Sequence, residues 1–299
     1  MTQEAESFRS GFVAIIGAPN AGKSTLLNRL IGEKIAITSK KPQTTRNRIL
    51  GIVHRPHAQL AFVDTPGVHK TEKLLNRRIV DAALGAIPDA DLVLWVMDVS
   101  RSASEESGMI LDSLQTCMKP VILGLNKIDL VPRGELLQWI ERWSKRFPFR
   151  EIVPISAEQG EQVDVLVDVL EKYLPEGPPL FPEDSLTDVP MRFIVAELIR
   201  EKVLRRTGEE IPYSIAVTID AFIEGGPGEK TEIHAVIHVD RDSQKGILIG
   251  KGGERLKQIG TDARKEIEAL LGEKVFLKLF VRVQKNWTRD AKAMERFGY

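Results

Sequence analysis

The sequence predicts two domains of different class, a doubly wound α/β sheet over residues 1–175 and a smaller α+β domain over residues 191–299. Three observations carry this. The chain has 299 residues, about twice the usual domain size of ~150. From Gly11 onward short apolar runs alternate with amphipathic helical ones, the pattern of a mostly parallel sheet covered on both faces. The stretch 176–190, bounded by Pro175 and Pro190 and holding Pro178, Pro179 and Pro182, lacks any periodicity. Prolines remove N–H donors and restrict the residues before them, so neither helix nor ladder can run through it. It is expected to be a semi-rigid linker.

Strands are expected at Phe12–Ile16, Ile49–His54, Gln59–Asp64, Leu92–Asp98, Val121–Asn126 and Ile152–Ile155. Helices are expected at Lys23–Ile31, Lys73–Ile87, Glu105–Met118, Glu135–Phe147 and Val163–Leu174. The second and third strands are joined only by His54–Ala58, so they form a hairpin and give the six-stranded sheet one antiparallel edge strand. After the linker the order changes to helix (Met191–Arg206), strand (Tyr213–Glu224), strand (Glu232–Val239), helix (Gly253–Leu271), strand (Lys274–Val283) and a short final helix. The Gly225–Gly228 turn makes its first two strands a hairpin.

Composition excludes several classes. Hydrophobic content of 42% and charged content of 28% suit a globular protein, and no apolar run reaches the roughly 20 residues of a membrane span. Met1–Ser10 lacks the apolar stretch of a secretory signal. One cysteine, Cys117, excludes an internal disulfide framework and suits a reducing, cytoplasmic setting, with Cys117 itself a packing residue. Net charge is zero. Lys+Arg number 20 against 17 Asp+Glu from Met191 on, and 22 against 25 before it. A difference of three charges is too small to identify a nucleic-acid partner, so that has to be argued from placement.

Gly17-Ala18-Pro19-Asn20-Ala21-Gly22-Lys23-Ser24, between a strand and a helix, matches the phosphate-binding loop G-x-x-x-x-G-K-[ST], and Thr25 follows it into the helix. Its glycines let the backbone wrap a phosphate, and successive N–H groups with the helix N-terminus bind the charge. Lys23 is expected to reach the β and γ phosphates and Ser24 to ligate Mg²⁺. Asn126-Lys127-Ile128-Asp129 follows an apolar strand where bases bind in such sheets. The Asp129 carboxylate can accept from guanine N1–H and N2–H₂ together, a pair adenine does not present. Asn126 should tie the base loop to the phosphate loop, the Lys127 stem should cover the ring, and Ser156-Ala157 should bring a backbone N–H to guanine O6.

Asp64-Thr65-Pro66-Gly67 ends the third strand. Asp64 is expected to hold Mg²⁺ through water, and the Gly67 N–H to sense the γ-phosphate. Thr45, with Thr44 as the alternate, would supply a further Mg²⁺ ligand. The GTP contacts are thus Gly17 to Thr25, Asp64, Gly67, Asn126, Lys127, Asp129, Ser156 and Ala157, with Ser24, Thr45 and Asp64 on the metal. No side chain is assigned as catalytic base; Lys23, Thr45 and Gly67 are phosphate or transition-state contacts. Val68 stands where Ras-like enzymes carry a water-orienting glutamine, so hydrolysis should be slow until a partner accelerates it. Asn20 resembles the asparagine that ligates K⁺ in relatives lacking that glutamine; its other reading is a loop-stabilising cap. His69 reads as solvated filler.

Gly250-Lys251-Gly252-Gly253 opens the amphipathic helix Glu254–Leu271. In the order helix–strand–strand–GxxG–helix–strand, this resembles a type II KH clamp, which holds about four nucleotides of single-stranded nucleic acid. Lys245, Lys251, Arg255, Lys257 and Arg264 surround it where phosphates would pass. Ile247, Leu248, Ile249, Leu256 and Ile259 are expected mostly in the core, with Ile249 or Ile247 facing a base. Trp287 offers either a stacking surface or the anchor of a docked C-terminal helix. Arg200, Lys202, Arg205 and Arg206 read as a solvated helix face.

The motif set GAPNAGKS, QTTRN, DTPGVH and NKID, followed by the GxxG domain, resembles the bacterial Era family over nearly the whole chain. That resemblance implies a monomeric GTPase that uses GTP/GDP and Mg²⁺, binds the 3′ end of 16S ribosomal RNA, assists assembly of the 30S subunit, and associates peripherally with the inner membrane. Nothing in the sequence reads as an amphipathic anchor or acylation motif. The other reading is an RNA-binding assembly factor in which GTP only stabilises a conformation.

Overall fold

The structure is a computed structural model and describes residues 7–39, 41, 44–68, 84–101, 105–207, 214–226 and 228–298. It divides into two units. The described residues up to Ala36, and those from Thr45 to Asp188, form the first; Ile37–Thr44 and the chain from Val189 form the second.

The first unit is built on strands β1 (Arg9–Ile16), β2 (Ile49–Arg55), β3 (Ala58–Asp64), β4 (Leu92–Asp98), β5 (Val121–Asn126) and β6 (Glu151–Ile155). Their order is β2-β3-β1-β4-β5-β6. β2 runs antiparallel to β3 and the other pairings are parallel, so the predicted doubly wound sheet with one antiparallel edge strand is what forms. β3 is buried along its whole length, which is why Leu60–Val63 reads as an unbroken apolar run without alternation. The helices are α1 (Lys23–Ile31), α2 (Glu105–Gln115), α3 (Arg133–Ser144) and α4 (Val163–Tyr173).

Of the expected helix Lys73–Ile87, residues 73–83 lie outside the described residues, as does His69, while 84–89 are helical. α2 ends at Gln115, leaving Cys117 just beyond it, half-buried against the core. α3 starts two residues earlier than expected, at the first position after Pro132, where a preceding proline suits a helix start. On one sheet face Trp95 and Trp143 meet edge-on with ring centres 5.1 Å apart, inside a cluster that includes Ile16, Val68, Val93 and Leu123.

The proline-rich stretch is tied to this first unit. Gln59 Oε1 accepts from the Leu180 and Phe181 N–H groups, Thr187 Oγ1 donates to the Leu50 carbonyl, and Ile52 N–H donates to Leu186. Phe181 packs edge-on against Phe12 at 6.1 Å. A strand-free segment still satisfies its backbone, through one buried glutamine and the edge of β2.

The second unit has α5 (Met191–Arg206), β7 (Ala216–Ile223), β8 (Thr231–Val239), α6 (Asp242–Ile249), α7 (Glu254–Leu271), β9 (Val275–Val283) and α8 (Ala291–Arg296). The sheet order is β7-β8-β9, antiparallel then parallel. α6 is an addition to the predicted order. Gly246, a poor helix former, and the short apolar run Ile247–Ile249, without helical periodicity, hid it; it is held by Gln244, whose Oε1 accepts from Asp240 N–H and whose Nε2 donates to Ser214.

α5 corrects an expectation. All residues from Ile194 to Leu204 are buried, including Glu197, Arg200, Glu201 and Lys202. Arg200 pairs with Glu197 at 2.6 Å and Lys202 with Glu201 at 2.8 Å and with Glu266, while Arg205 and Arg206 at the end pair with Glu201 and Asp262. Arg200 and Lys202 are internal because each has a partner of opposite sign close by, which is information a sequence count does not carry, whereas Arg205 and Arg206 are exposed. Trp287 is fully buried, donates from Nε1 to the Ser214 carbonyl and packs edge-on against Phe297, so it anchors the C-terminal helix.

Candidate functional site

The phosphate loop lies between β1 and α1. Gly22 has φ +98°, and a Cβ there would fall 2.2 Å from Asn126 Nδ2, so the position requires glycine twice over. Asn126 makes the link expected of it: Nδ2 donates to the Ala21 carbonyl at 2.7 Å, and Oδ1 accepts from Ala157 N–H at 2.9 Å. Asn20 takes a left-handed conformation with φ 63°. Lys23 is buried and donates to the carbonyls of Gly17 and Ala18 at 3.0 and 3.1 Å. Thr25 is half-buried in the first turn of α1.

Ser24 Oγ lies 2.7 Å from Thr45 Oγ1 and donates to Asp64 Oδ2 at 2.7 Å. Three segments far apart in sequence thus bring three oxygen ligands to one point. Thr44 is adjacent but turns away, its hydroxyl donating to the Lys41 carbonyl. Asp64 is fully buried, and among the described residues its Oδ1 has no hydrogen-bond partner. An orphaned carboxylate oxygen beside two hydroxyls is a hard, all-oxygen donor set, which fits Mg²⁺.

Burial pushes the Asp64 carboxyl up to about 6, with Lys23 and Ser24 pulling the other way. Burial likewise pushes the Lys23 ammonium down to about 8, partly offset by Asp64. The raised Asp64 value favours folding below its ordinary 3.8, and that contribution is lost as pH rises to about 6. The depressed Lys23 value favours folding above 10.5 and is lost as pH falls through about 8. The ionised pair therefore costs stability between the two values, and a ligand that needs both charges offsets that cost. Affinity for Mg²⁺·GDP is expected to be highest between about pH 6 and pH 8 and to fall about tenfold per unit outside that window. Titration with a fluorescent GDP analogue checks this; a flat profile from about pH 5 to about pH 9 would contradict it.

Gly67 presses on the loop, since a Cβ there would lie 2.7 Å from Pro19 backbone. Val68 donates its N–H to the Gly17 carbonyl at 3.1 Å and buries its side chain completely in the core. Its side chain therefore reaches no solvent, and this position orients no water. Val68→Gln is expected to destabilise the first unit by about 1–3 kcal/mol, by burying an amide, without raising turnover. Thermal melting and single-turnover hydrolysis check both halves; faster hydrolysis would show that the side chain can swing out.

At the base-binding end Lys127 has φ 69° and its ammonium meets Asp98 Oδ2 at 2.5 Å, which fixes the stem. Asp98 was not picked out in the sequence; its place at the end of β4, opposite Asn126, was the available signal. Asp129 is exposed, and among the described residues its carboxylate makes no hydrogen bond or ion pair. The Ser156 and Ala157 N–H groups, expected beside guanine O6, are both engaged within the chain. Ser156 N–H donates to Glu161 and Ala157 N–H to Asn126. Asn28 was also missed. Its side chain bonds Ile35 and Ala36 and holds the start of the loop that leads to Thr45.

In the second unit α6 and α7 flank the GxxG turn. Gly250, Gly252 and Gly253 have φ of 71°, 61° and 80°, a left-handed run that side chains resist. Lys251 and Lys257 are exposed, while Lys245 and Ile249 are half-buried. Arg255 donates to the Ile247 carbonyl, so part of its guanidinium braces the turn.

A phosphate loop, a guanine-reading loop and a Ser–Thr–Asp cluster on a six-stranded sheet, followed by a GxxG domain, define a P-loop GTPase that carries a KH domain. Residues 12–127 match the family described as 50S ribosome-binding GTPase, and residues 210–288 match the KH domain. The chain is 55% identical to GTPase Era of Geobacter metallireducens over 98% of both chains. It superposes with a TM-score of 0.93 on a point variant of Aquifex aeolicus Era bound to GDP·AlF₄⁻, at 42% identity over 98% of this chain and 99% of that one. It superposes equally on Era in complex with MgGDPNP and nucleotides 1506–1542 of 16S ribosomal RNA, at 43% identity and the same coverage. The chain belongs to the GTPase Era family. It hydrolyses GTP, uses Mg²⁺, and carries an RNA-binding KH domain.

Proposed function

We propose that this chain clamps the 3′ end of 16S ribosomal RNA through Gly250–Gly253 and acts in 30S subunit assembly in the cytoplasm, with the bound nucleotide setting RNA occupancy. The observation that carries this is the GxxG turn, whose Gly250, Gly252 and Gly253 have positive φ, with Lys251 exposed in it, on the same chain as the phosphate loop and the Ser24–Thr45–Asp64 cluster. The RNA in the similar Era complex is 16S, a small-subunit RNA, which favours the small subunit although the matching family description names 50S.

In hydrolysis the loop amides and the α1 N-terminus hold the phosphates, and Lys23 exchanges its carbonyl partners for phosphate oxygens. Mg²⁺ held by Ser24, Thr45 and Asp64 would neutralise charge on the β and γ phosphates. With Val68 buried, the attacking water has to be placed by backbone groups, another side chain or a cation; Asn20 would hold such a cation, for which K⁺ is the proposal, and it would supply positive charge beside the phosphates. Asp129 reads the base.

The test is a fluorescence-anisotropy titration of a short 16S 3′-end RNA against the protein with no nucleotide, with GDP, and with a non-hydrolysable GTP analogue. A Lys251→Asp/Gly252→Asp variant serves as the control. Tighter binding with the analogue, lost in the double variant, is the expected result; binding indifferent to both overturns the proposal. The buried Val68 favours a second reading, in which GTP stabilises an RNA-binding conformation and turnover is incidental. Hydrolysis measured with and without small subunits, in K⁺ and in Na⁺, separates the two: strong acceleration by subunits excludes the second.

A further inference from the structure

β9 carries two faces of different chemistry. A Cβ on Gly260 of α7 would touch Leu279 at 3.4 Å, so Leu279 points to the helices and its neighbours in sequence point away from them. Along the outward face Phe276, Lys278, Phe280 and Arg282 alternate with buried or half-buried positions. Phe276 is 52% exposed and Phe280 46%, unusual for side chains of that size on a strand. Lys278 Nζ sits 5.4 Å from the Phe280 ring centre, and His234 of the neighbouring strand approaches the same ring edge-on at 6.4 Å.

The charges on this face are unequally placed. β9 contributes Lys278 and Arg282. The carboxylates belong to the other two strands: Glu232 is held at 2.6 Å by His234, and the exposed Asp220 accepts from the Thr218 hydroxyl. His238 is kept uncharged at neutral pH, its value pushed down to about 4, first by burial and then by Arg282 and Arg296. A cleft of about 510 Å³ joins Phe280 and Arg282 to Lys245 and Asp242 of α6, the helix that leads into the GxxG turn.

We propose that the outward face of β9 is a second RNA-binding surface, on which bases of a single strand running beyond the clamp stack on Phe276 and Phe280 while Lys278 and Arg282 meet its phosphates. Sheets that display alternating aromatic and cationic side chains bind single strands in this way, and stacking tolerates any base because every base has a π-face. The two rings lie four residues apart, about 13 Å along the strand, too far for one base to cover both. Charge complementarity favours RNA over an apolar protein partner, because each exposed ring is flanked by a cation along β9. The proposal rests on the clamp reading only for where the strand enters.

The test uses the full chain and two single-stranded RNAs from the 16S 3′ region, one of about four nucleotides, which fills a clamp, and one of about twelve. Phe276→Ala/Phe280→Ala is expected to weaken the longer RNA roughly tenfold or more and to leave the short one and GTP hydrolysis unchanged. Phe276→Tyr/Phe280→Tyr should restore the longer RNA. In addition, 2-aminopurine placed beyond the clamped nucleotides should be quenched by the wild type and not by the alanine variant. Unchanged affinity for the longer RNA, equal loss for both lengths, or loss of small-subunit binding with RNA affinity intact would each overturn the proposal; the last would assign the face to a protein. Gly252→Asp reports on the clamp independently. If the short RNA binds neither wild type nor variant, the clamp reading fails, while the phenylalanine dependence of the longer RNA still decides this surface.

Discussion

Asp129→Asn is expected to exchange the base preference of the site from guanine to xanthine. The carboxylate can accept from N1–H and N2–H₂ of guanine at once, and xanthine carries a carbonyl in place of the amino group. An asparagine can donate its amide N–H to that carbonyl. Losing two hydrogen bonds to a charged acceptor, each worth about 1.5–3 kcal/mol, predicts that GTP affinity falls roughly a hundred- to ten-thousandfold while xanthosine triphosphate gains. Because Asp129 is exposed and its carboxylate makes no hydrogen bond or ion pair among the described residues, the fold should not change. Competition binding with the two triphosphates reads the result. Equal weakening of both would mean that another group reads the base.

Arg200→Ala should have the largest effect on stability. Arg200 is fully buried, bonded through Nε and Nη2 to the two Glu197 oxygens at 2.7 and 2.6 Å, and through Nη2 to the Thr44 carbonyl. Removing it leaves a buried carboxylate without its partner, a loss of about 3–5 kcal/mol, and strips a donor from Thr44. For a domain of this size that lowers the melting temperature of the second unit by more than about 10 °C. Replacing both partners, Glu197→Leu/Arg200→Met, is expected to recover most of the loss, because an apolar pair carries no charge to desolvate. Arg200→Lys should stay well below wild type, since an ammonium cannot make the two-pronged contact. Melting of the wild type and the three variants checks the series; a wild-type-like Arg200→Ala would mean that Glu197 finds another partner.

The sequence carried the strands, the antiparallel edge hairpin and the nucleotide loops because all are local patterns. The Gly17–Ser24 loop is contiguous, and β4 and β5 are apolar runs ended by polar residues. What it did not carry depends on contacts across long separations. The pairing that buries Lys202 involves Glu266, the burial of Arg200 involves the Thr44 carbonyl, and the anchoring of the proline-rich segment involves Gln59. None of these partners stands out by position. α6 was hidden for a different reason: it is only eight residues long with Gly246 at its middle, and capping by Gln244 together with packing on β9 makes it a helix.

The placement of the indoles has an optical consequence. Of the four tryptophans, Trp95, Trp139 and Trp143 gather around α3 in the first unit, and Trp287 alone belongs to the second, sealed from solvent. The emission of Trp287 therefore reports the C-terminal unit, and its removal by Trp287→Phe leaves a spectrum that belongs to the nucleotide unit alone. The protein thus carries its own fluorescent probes, three indoles in the first unit and one in the second.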